Sequence, residues 1–394
     1  MAAPYADNGE QDEGIVYLYS GSAQGISAQP IWSFESNLAN ALLGSSSASA
    51  GDVNGDGFSD VIIGAPRGGS GMKGAAYLFL GSRNGLSAKP AWSMEGPQGG
   101  SQFGQSVASA GDINHDGYDD IIIGIPGRSN GQASEGSAVV YLGSSSGLSG
   151  VPAWQVESNV VLALFGYSVA AAGDVNGDGF GDVVIGALQQ SKTATGEGQA
   201  YVYLGSSQGL ATTAAWSVAG SIRWGQFGVS VSSAGDVNRD GFSDIIVGEH
   251  NYSDTQRKGG RVQLFLGSPT GPSATPNWSF APQVSYQAQF GYSVASVGDI
   301  NRDGYADVII GARGYSATPV ARTGGAFLFL GSAQGLSSCA QWIGTSDQPG
   351  SIFGVSVGGA GDTNGDGKGD LVVGSAYYSA SQASSGAGMV FMGR

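Results

Sequence analysis

The chain has 394 residues, 41% of them hydrophobic and only 12% charged, with a formal charge of −15. That acidity, with 16 scattered Lys and Arg, speaks against a nucleic-acid partner. A single cysteine, Cys339, excludes an internal disulfide, and no apolar run approaches the ~18–20 residues that a membrane-spanning helix needs.

Residues 1–14 lack the basic and apolar regions of a secretory leader. A strand-like segment follows at 15–20 and runs into a Trp-led segment at Trp32. From residue 43 onward one pattern repeats every 60 to 63 residues. It starts with an aromatic-Gly pair: Phe103-Gly104, Phe165-Gly166, Phe227-Gly228, Phe290-Gly291 and Phe353-Gly354, with Leu43-Gly44 as the departing first copy. Nine residues later comes an Asp-rich phrase, then a short apolar run ending in Gly (VIIG, IIIG, VVIG, IIVG, VIIG, LVVG). A loop of varied length leads to an alternating segment such as AYLFLGS at 76–82. A Trp closes each unit: Trp32, Trp92, Trp154, Trp216, Trp278 and Trp342.

Each unit reads as four short strands joined by Gly, Ser, Asn and Asp turns, and no stretch sustains helical periodicity. The expected fold is all-β: a β-propeller of four-stranded blades, in which neighbouring blade faces bury one another. It forms one domain, with units at about 43–102, 103–164, 165–226, 227–289, 290–352 and 353–394. Six blades are favoured and seven are the alternative. In the six-blade closure, segment 1–42 supplies the Trp32 strand as the outer strand of the last blade. The third-strand motif then occurs once too often, at both 15–20 and 389–392. The mid-repeat opening suggests a piece of a longer array.

The Asp-rich phrase carries the chemistry. Its copies are 52–60, 112–120, 174–182, 236–244, 299–307 and 362–370. Positions 1, 3, 5 and 9 offer side-chain oxygens, and position 7 offers a backbone carbonyl. In the first copy these are Asp52, Asn54, Asp56, Asp60 and Phe58. In the second they are Asp112, Asn114, Asp116, Asp120 and Tyr118, and in the third Asp174, Asn176, Asp178, Asp182 and Phe180. The fourth has Asp236, Asn238, Asp240, Asp244 and Phe242, and the fifth Asp299, Asn301, Asp303, Asp307 and Tyr305. The sixth has Asp362, Asn364, Asp366, Asp370 and Lys368.

Calcium takes six to eight hard oxygens, and Gly at position 6 permits the turn that wraps them around one ion. An EF-hand is excluded because position 12 is Ile63, inside an apolar run, where a bidentate Glu is required. Eighteen of the 31 acidic residues are the ligand Asp of these phrases, and six dications would bring the charge from −15 to about −3. Up to six Ca²⁺ are therefore expected as structural cofactors. The last loop is expected to be weakest, because Thr363 and Lys368 replace apolar packing.

The Phe-Gly, Asp-loop, Gly-Ala-Pro order resembles the FG-GAP repeat of the integrin α-subunit propeller and its bacterial relatives. Gly64-Ala65-Pro66 completes the third element; Gly124-Ile125-Pro126, Gly186-Ala187-Leu188 and Gly311-Ala312-Arg313 approach it. Gly248-Glu249-His250 and Gly374-Ser375-Ala376 are weaker matches. The resemblance covers the whole chain. It implies a non-enzymatic adhesion or recognition scaffold at the cell surface or outside the cell, with a protein or glycan ligand. The 2–3 and 4–1 loops would share the ligand face, opposite the calcium loops. Moderate calcium loops also suit millimolar extracellular calcium.

The catalytic inventory is poor: two histidines, no zinc spacing, no nucleophile elbow and no phosphate loop. The varied 2–3 loops (188–198, 249–260, 312–324, 375–387) are the expected recognition surface. Off-register Trp224 with Arg223, and His250 and Tyr252 beside the basic Arg257 and Lys258, are the candidate ligand contacts. A lectin, an assembly module and a non-catalytic domain of a larger protein are the alternatives. Cys339 is expected as a buried free thiol, and Asn251 and Asn277 head N-x-Ser sequons.

Overall fold

The six Phe/Leu-Gly units fold into six antiparallel sheets, and residues 1–35 add a seventh. The computed structural model describes residues 1–254, 259–284, 287–316, 322–379 and 386–393. No helix occurs among them. Five sheets are complete four-stranded meanders, and the first and last have three strands each. These are the blades of a β-propeller, numbered 1 to 7 in chain order.

Within a complete blade the strands run from inside to outside in sequence order, as in blade 4: Phe165–Gly173, Asp182–Ala187, Gln199–Tyr203 and Trp216–Ala219. The buried second strands read as unbroken apolar runs, because both of their faces meet another sheet: Asp182–Ala187 is buried at every residue. Small blade-end hairpins are ruled by Gly, Asp and Ser, as the turn chemistry requires.

The core lies between blades. Six clusters each join the faces of two neighbours, from blades 1–2 through blades 6–7. The repeated Phe of each FG pair is the central plug: Phe103, Phe165, Phe227, Phe290 and Phe353 are at most 2% exposed. Leu43, the departing first copy, fills the same role at 0%. Each repeat Trp packs edge-on against the last aromatic of the next blade's third strand, as Trp154 does on Tyr203 at 5.1 Å. For Trp32, Trp92, Trp154, Trp216 and Trp278 the Nε1–H also donates to a carbonyl of that next blade, as Trp154 does to Ala211 at 2.9 Å.

The two glycines of the FG-GAP pattern meet across the blade boundary. A Cβ placed on Gly64, Gly124, Gly186, Gly248 or Gly311 would stand 1.9–2.1 Å from the carbonyl oxygen of Gly104, Gly166, Gly228, Gly291 or Gly354 respectively. The FG glycine of each pair also has a positive φ, near +82°. Gly186→Ala is expected to cost about 2–3 kcal/mol by overpacking this junction, measured by denaturant unfolding. A change within ~0.5 kcal/mol would show that the blades can separate freely there.

Seven blades, and not the favoured six, resolve the surplus third strand. Ile15–Leu18 pairs with Trp32–Glu35 in its own sheet, with Leu18 opposite Trp32. Segment 1–42 therefore does not lend the Trp32 strand to the last blade. Ala2–Ala3 takes the second-strand position of blade 1 and pairs with Ile15 and Val16. The other copy of that motif, 389–392, lies in blade 7 as expected, with residues 389–391 in the strand Ala387–Phe391. Blade 1 has no first strand among the described residues, and so no aromatic-Gly pair or Asp loop, which is why counting those motifs favours six.

Blades 7 and 1 adjoin through a backbone approach of the kind seen at four other junctions. A Cβ on Gly143, Gly205, Gly267 or Gly331 would lie 2.7–2.9 Å from the position-2 carbonyl of the preceding blade's Asp loop. The same atom on Gly21 would lie 2.4 Å from the Thr363 carbonyl in blade 7. Met1 lies against Gly388 at this boundary. Cys339, expected to be buried, is exposed in the loop before Trp342 and is free.

Candidate cation loops and the recognition face

All six Asp loops join the first and second strands of blades 2 to 7 and lie on one face of the ring. Their local structure follows from their spelling. Asp52 accepts hydrogen bonds from the N–H groups of Asp56 (3.1 Å) and Gly57 (2.8 Å), and Asp56 accepts from Phe58 at 2.9 Å. Asn54 accepts from the Asp56 N–H and donates its amide to the Asp56 carboxylate at 3.0 Å. The other five loops repeat this net; the blade 4 loop, for example, has Asp174, Asn176 and Asp178 in the same roles. Position 5 is exposed in all six loops and positions 1 and 3 are half-buried in most, with φ near +90° at the position-6 glycines.

The ninth residue behaves differently. Asp60, Asp120, Asp182, Asp244, Asp307 and Asp370 are fully buried. Each ties its own loop to the end of the third strand: Asp120 accepts from Ile113 N–H at 3.1 Å and Gly143 N–H at 2.9 Å. Desolvation raises Asp120 and Asp244 to about 7 and Asp182 and Asp307 to about 6, despite those N–H groups. Asp60 is raised for the same reason. At Asp370 desolvation is outweighed by the Thr363 hydroxyl and the N–H groups of Gly393 and Thr363, so its carboxyl stays below the usual range.

Sequence reading missed two features of these loops. Position 4 requires a positive φ: Gly55, Gly177 and Gly365 meet it without strain, and His115, Arg239 and Arg302 adopt it at 60–64°. Those three side chains reach the next loop. His115 Nδ1 lies 3.2 Å from the Gly179 carbonyl, and Arg239 and Arg302 lie against Gly304 and Gly367. Backbone links also join successive loops, as Gly181 N–H donates to Asp112 O at 3.1 Å. The occurrence of His and Arg at position 4, where the other three copies have Gly, was the available signal.

Among the described residues no three His, Cys, Asp or Glu side chains converge as a ready metal cluster. The loop oxygens instead face the loop's own N–H groups. The donor set still suits a hard cation: two carboxylates, an amide oxygen and a carbonyl on one tight turn, above a buried carboxyl whose charge is disfavoured without a counter-charge.

The 2–3 and 4–1 loops occupy the opposite face and bond to one another within a blade; Trp224 N–H donates to Thr195 O at 2.9 Å. Trp224 is 48% exposed, with a positive φ, and its ring covers Gly196. Arg223 lines an open groove of about 500 Å³ with residues 191–195, including Lys192. His250 and Tyr252 are placed differently. His250 is 7% exposed, packs edge-on against Tyr292, and its Nδ1 has no hydrogen-bond partner among the described residues. Tyr252 lies under the Arg261 guanidinium, 3.9 Å from the ring centre, and Arg261 in turn pairs with buried Glu249. Arg257 and Lys258 lie outside the described residues.

Buried glutamates organise three of the 2–3 loops. Glu13, Glu135 and Glu197 are 0% exposed and gather loop N–H groups, such as Asn130 N–H on Glu135 at 2.6 Å. A Glu-Gly pair just before the third strand was their signal in the sequence.

Burial, with Arg313 nearby, pushes the His250 imidazole down to about 4. A depressed histidine pKa means that the unfolded chain binds a proton that the folded one refuses. Stability from this site is therefore complete above about pH 6.5 and is lost as pH falls towards about 4. Relative to His250→Gln, the native chain is expected to lose about 3 kcal/mol across that window, by denaturant midpoints at each pH. Parallel pH profiles would contradict this.

The FG-GAP repeat model matches residues 44–79, 103–141, 165–203 and 353–391, and an FG-GAP-like model matches 236–310. The matches together cover more than half of the chain. Integrin alpha-5 of Xenopus laevis is 34% identical over 233 residues, 56% of this chain and 21% of that protein. Integrin alpha-V of Gallus gallus is 31% identical over 240 residues, 57% of this chain and 22% of its own length. Drosophila melanogaster integrin alpha-PS5 is 34% identical over 148 residues, 35% and 14% of the two chains. The chain thus spans about a fifth of the length of the first two of these relatives. With its Phe-Gly plugs, its glycine contacts across blades and its Asp loops, the chain belongs to the FG-GAP repeat family and forms an integrin-α-like seven-bladed β-propeller.

Proposed function

We propose that this propeller is a calcium-braced recognition scaffold for an extracellular protein or glycan, held at the cell surface or outside the cell. The observation that carries the cation reading is the sixfold recurrence of one oxygen-donor loop in one structural position. In each loop Asp at positions 1 and 5, Asn at position 3 and the position-7 carbonyl hold the ion, with the position-9 Asp beneath them. The ions brace the strand 1–2 corners and join successive loops around the ring. They have no catalytic part. The Thr363 and Lys368 loop is the weakest of the six.

Capture occurs on the 2–3/4–1 face. The groove beside Arg223 and the exposed indole of Trp224 offer a cation and a flat apolar surface together, the residue types that dominate hot spots. His250 and Tyr252 support that face from below. The likeness to integrin α subunits favours an adhesive role. A matrix-protein and glycan array probed in calcium, and again in EDTA, tests this. Calcium-dependent capture that falls with Trp224→Ala or Arg223→Ala is expected. No capture in either buffer would overturn the recognition role, and capture of one sugar class alone would identify a lectin.

A further inference from the structure

Successive Asp loops touch around the ring, and they do so in two ways. Where position 4 is glycine, the position-7 ring of the following loop can lie over it. Tyr118 of blade 3 covers Gly55 of blade 2, and Phe242 of blade 5 covers Gly177 of blade 4, with ring atoms 2.7–2.8 Å from the place of a Cβ. Blades 5 and 6 do the reverse. Arg239 and Arg302 stand at position 4 with φ of 60° and 64°, and each lays its guanidinium on the position-6 glycine of the following loop. Arg239 Nη1 lies 2.8 Å from the place of a Cβ on Gly304, and Arg302 Nη2 lies closer still to that of Gly367. In the other four loops the position-6 glycines are Gly57, Gly117, Gly179 and Gly241, and the same space is open to 4 Å among the described residues. His115 of blade 3 meets only the Gly179 carbonyl, at 3.2 Å.

The two covered glycines carry the N–H groups that reach the first carboxylate of their loops. Gly304 donates to Asp299 at 2.8 Å and Gly367 to Asp362 at 2.6 Å. Each guanidinium thus stands one residue's backbone away from the proposed cation ligands. Every loop gathers the carboxylates of positions 1, 5 and 9, and a dication would offset most of that charge. A guanidinium fixed beside the loop offsets part of it in advance and repels the arriving ion. Over a few ångströms of water a unit charge changes the affinity for a dication by several-fold, and by less where salt screens it. Both arginines are exposed, which keeps the effect within that range.

We propose that Arg239 and Arg302 are built-in counter-cations that divide the Asp loops into two affinity classes, the loops of blades 6 and 7 taking up calcium less tightly than those of blades 2 to 5. This rests on the cation reading of the loops and adds to it the side chains that grade them. The blade 7 loop faces a second positive charge, its own Lys368. Falling calcium therefore empties one arc of the ring first, and that arc keeps a positive side chain beside each loop when its ions have left.

Calcium is titrated into the decalcified full chain in about 20 mM salt near pH 8, where an ordinary histidine is uncharged. Calorimetry reads affinity, and native mass spectrometry counts the ions. The blade 2 to 5 loops are expected to fill before the last two ions bind. Arg239→Gln is expected to tighten one of those two sites by about three- to tenfold, and Arg302→Gln the other. Glutamine keeps a non-glycine residue at the positive φ, so backbone strain is matched and only the charge is lost. Arg239→Lys, which retains the charge, is expected to leave its site weak. The gain from Arg239→Gln is expected to shrink at about 500 mM salt. Six ions filling as one class in the native chain would overturn the grading and leave the calcium reading standing. So would Arg239→Gln without effect, or Arg239→Lys tightening as much as Arg239→Gln. No calcium uptake by the native chain would overturn both.

Discussion

On addition of EGTA, the unfolding midpoint of this protein is expected to fall sharply, and to recover when millimolar calcium is restored. The proposed sites recur in blades 2 to 7, so the perturbation strikes six corners of the ring at once. A site held at one hundred times its Kd stabilises the folded state by about 2.7 kcal/mol, provided that the unfolded chain does not bind. Even partial filling of six such sites exceeds the effect of a single core mutation. The buried position-9 carboxyls add to the contrast, since without an ion their charge is disfavoured by desolvation. Differential scanning calorimetry in calcium and in EGTA reads this directly. Identical midpoints would show that the loops are Asx turns closed by their own N–H groups.

Phe227→Ala is expected to cost about 3–5 kcal/mol, the range for a large aromatic removed from a closed interior. Phe227 is 0% exposed and lies within the cluster joining blades 4 and 5, edge-on to Phe265 at 6.4 Å. Its backbone is pinned on both sides: its N–H donates to the Glu197 carbonyl and it bridges to Gly198. The rigid surroundings cannot collapse into the space left behind, which places the cost in the upper part of that range. Chemical denaturation with a fitted midpoint and slope is the measurement. A loss under about 1 kcal/mol would mean that the blade boundary relaxes, against the close glycine contacts beside it.

Much of this was legible from the letters because the repeat states each rule several times. VIIG and its four variants announced strands buried on both faces, and the Asp phrase announced a turn with outward oxygens. The Phe of each FG pair could be read as apolar, but not as the plug of a boundary, since the face it closes is shared between its own blade and the preceding one, as the bridge from Phe227 to Gly198 shows. The blade count failed for a related reason. Two residues, Ala2 and Ala3, suffice to mark a second strand once Ile15–Leu18 is in place, and no propensity scale detects a pair of alanines. Similarly, His250 and Trp224 looked alike as off-pattern residues. Only the packing separates one under Tyr292 from one over Gly196.

The glycine contacts across blades also set where such a chain can be cut and rejoined. The Gly that ends a second strand and the FG Gly that touches it are always about 40 residues apart, as Gly186 and Gly228 are. A splice inside that interval brings together two half-boundaries from different origins. A splice outside it, in the stretch from the FG Gly to the next second-strand Gly, moves whole boundaries intact. Duplication, loss or exchange of units should therefore succeed when the crossover falls between Gly166 and Gly186, and fail more often between Gly186 and Gly228. The natural module of this ring is the seam between blades, and the visible blade is two half-seams back to back.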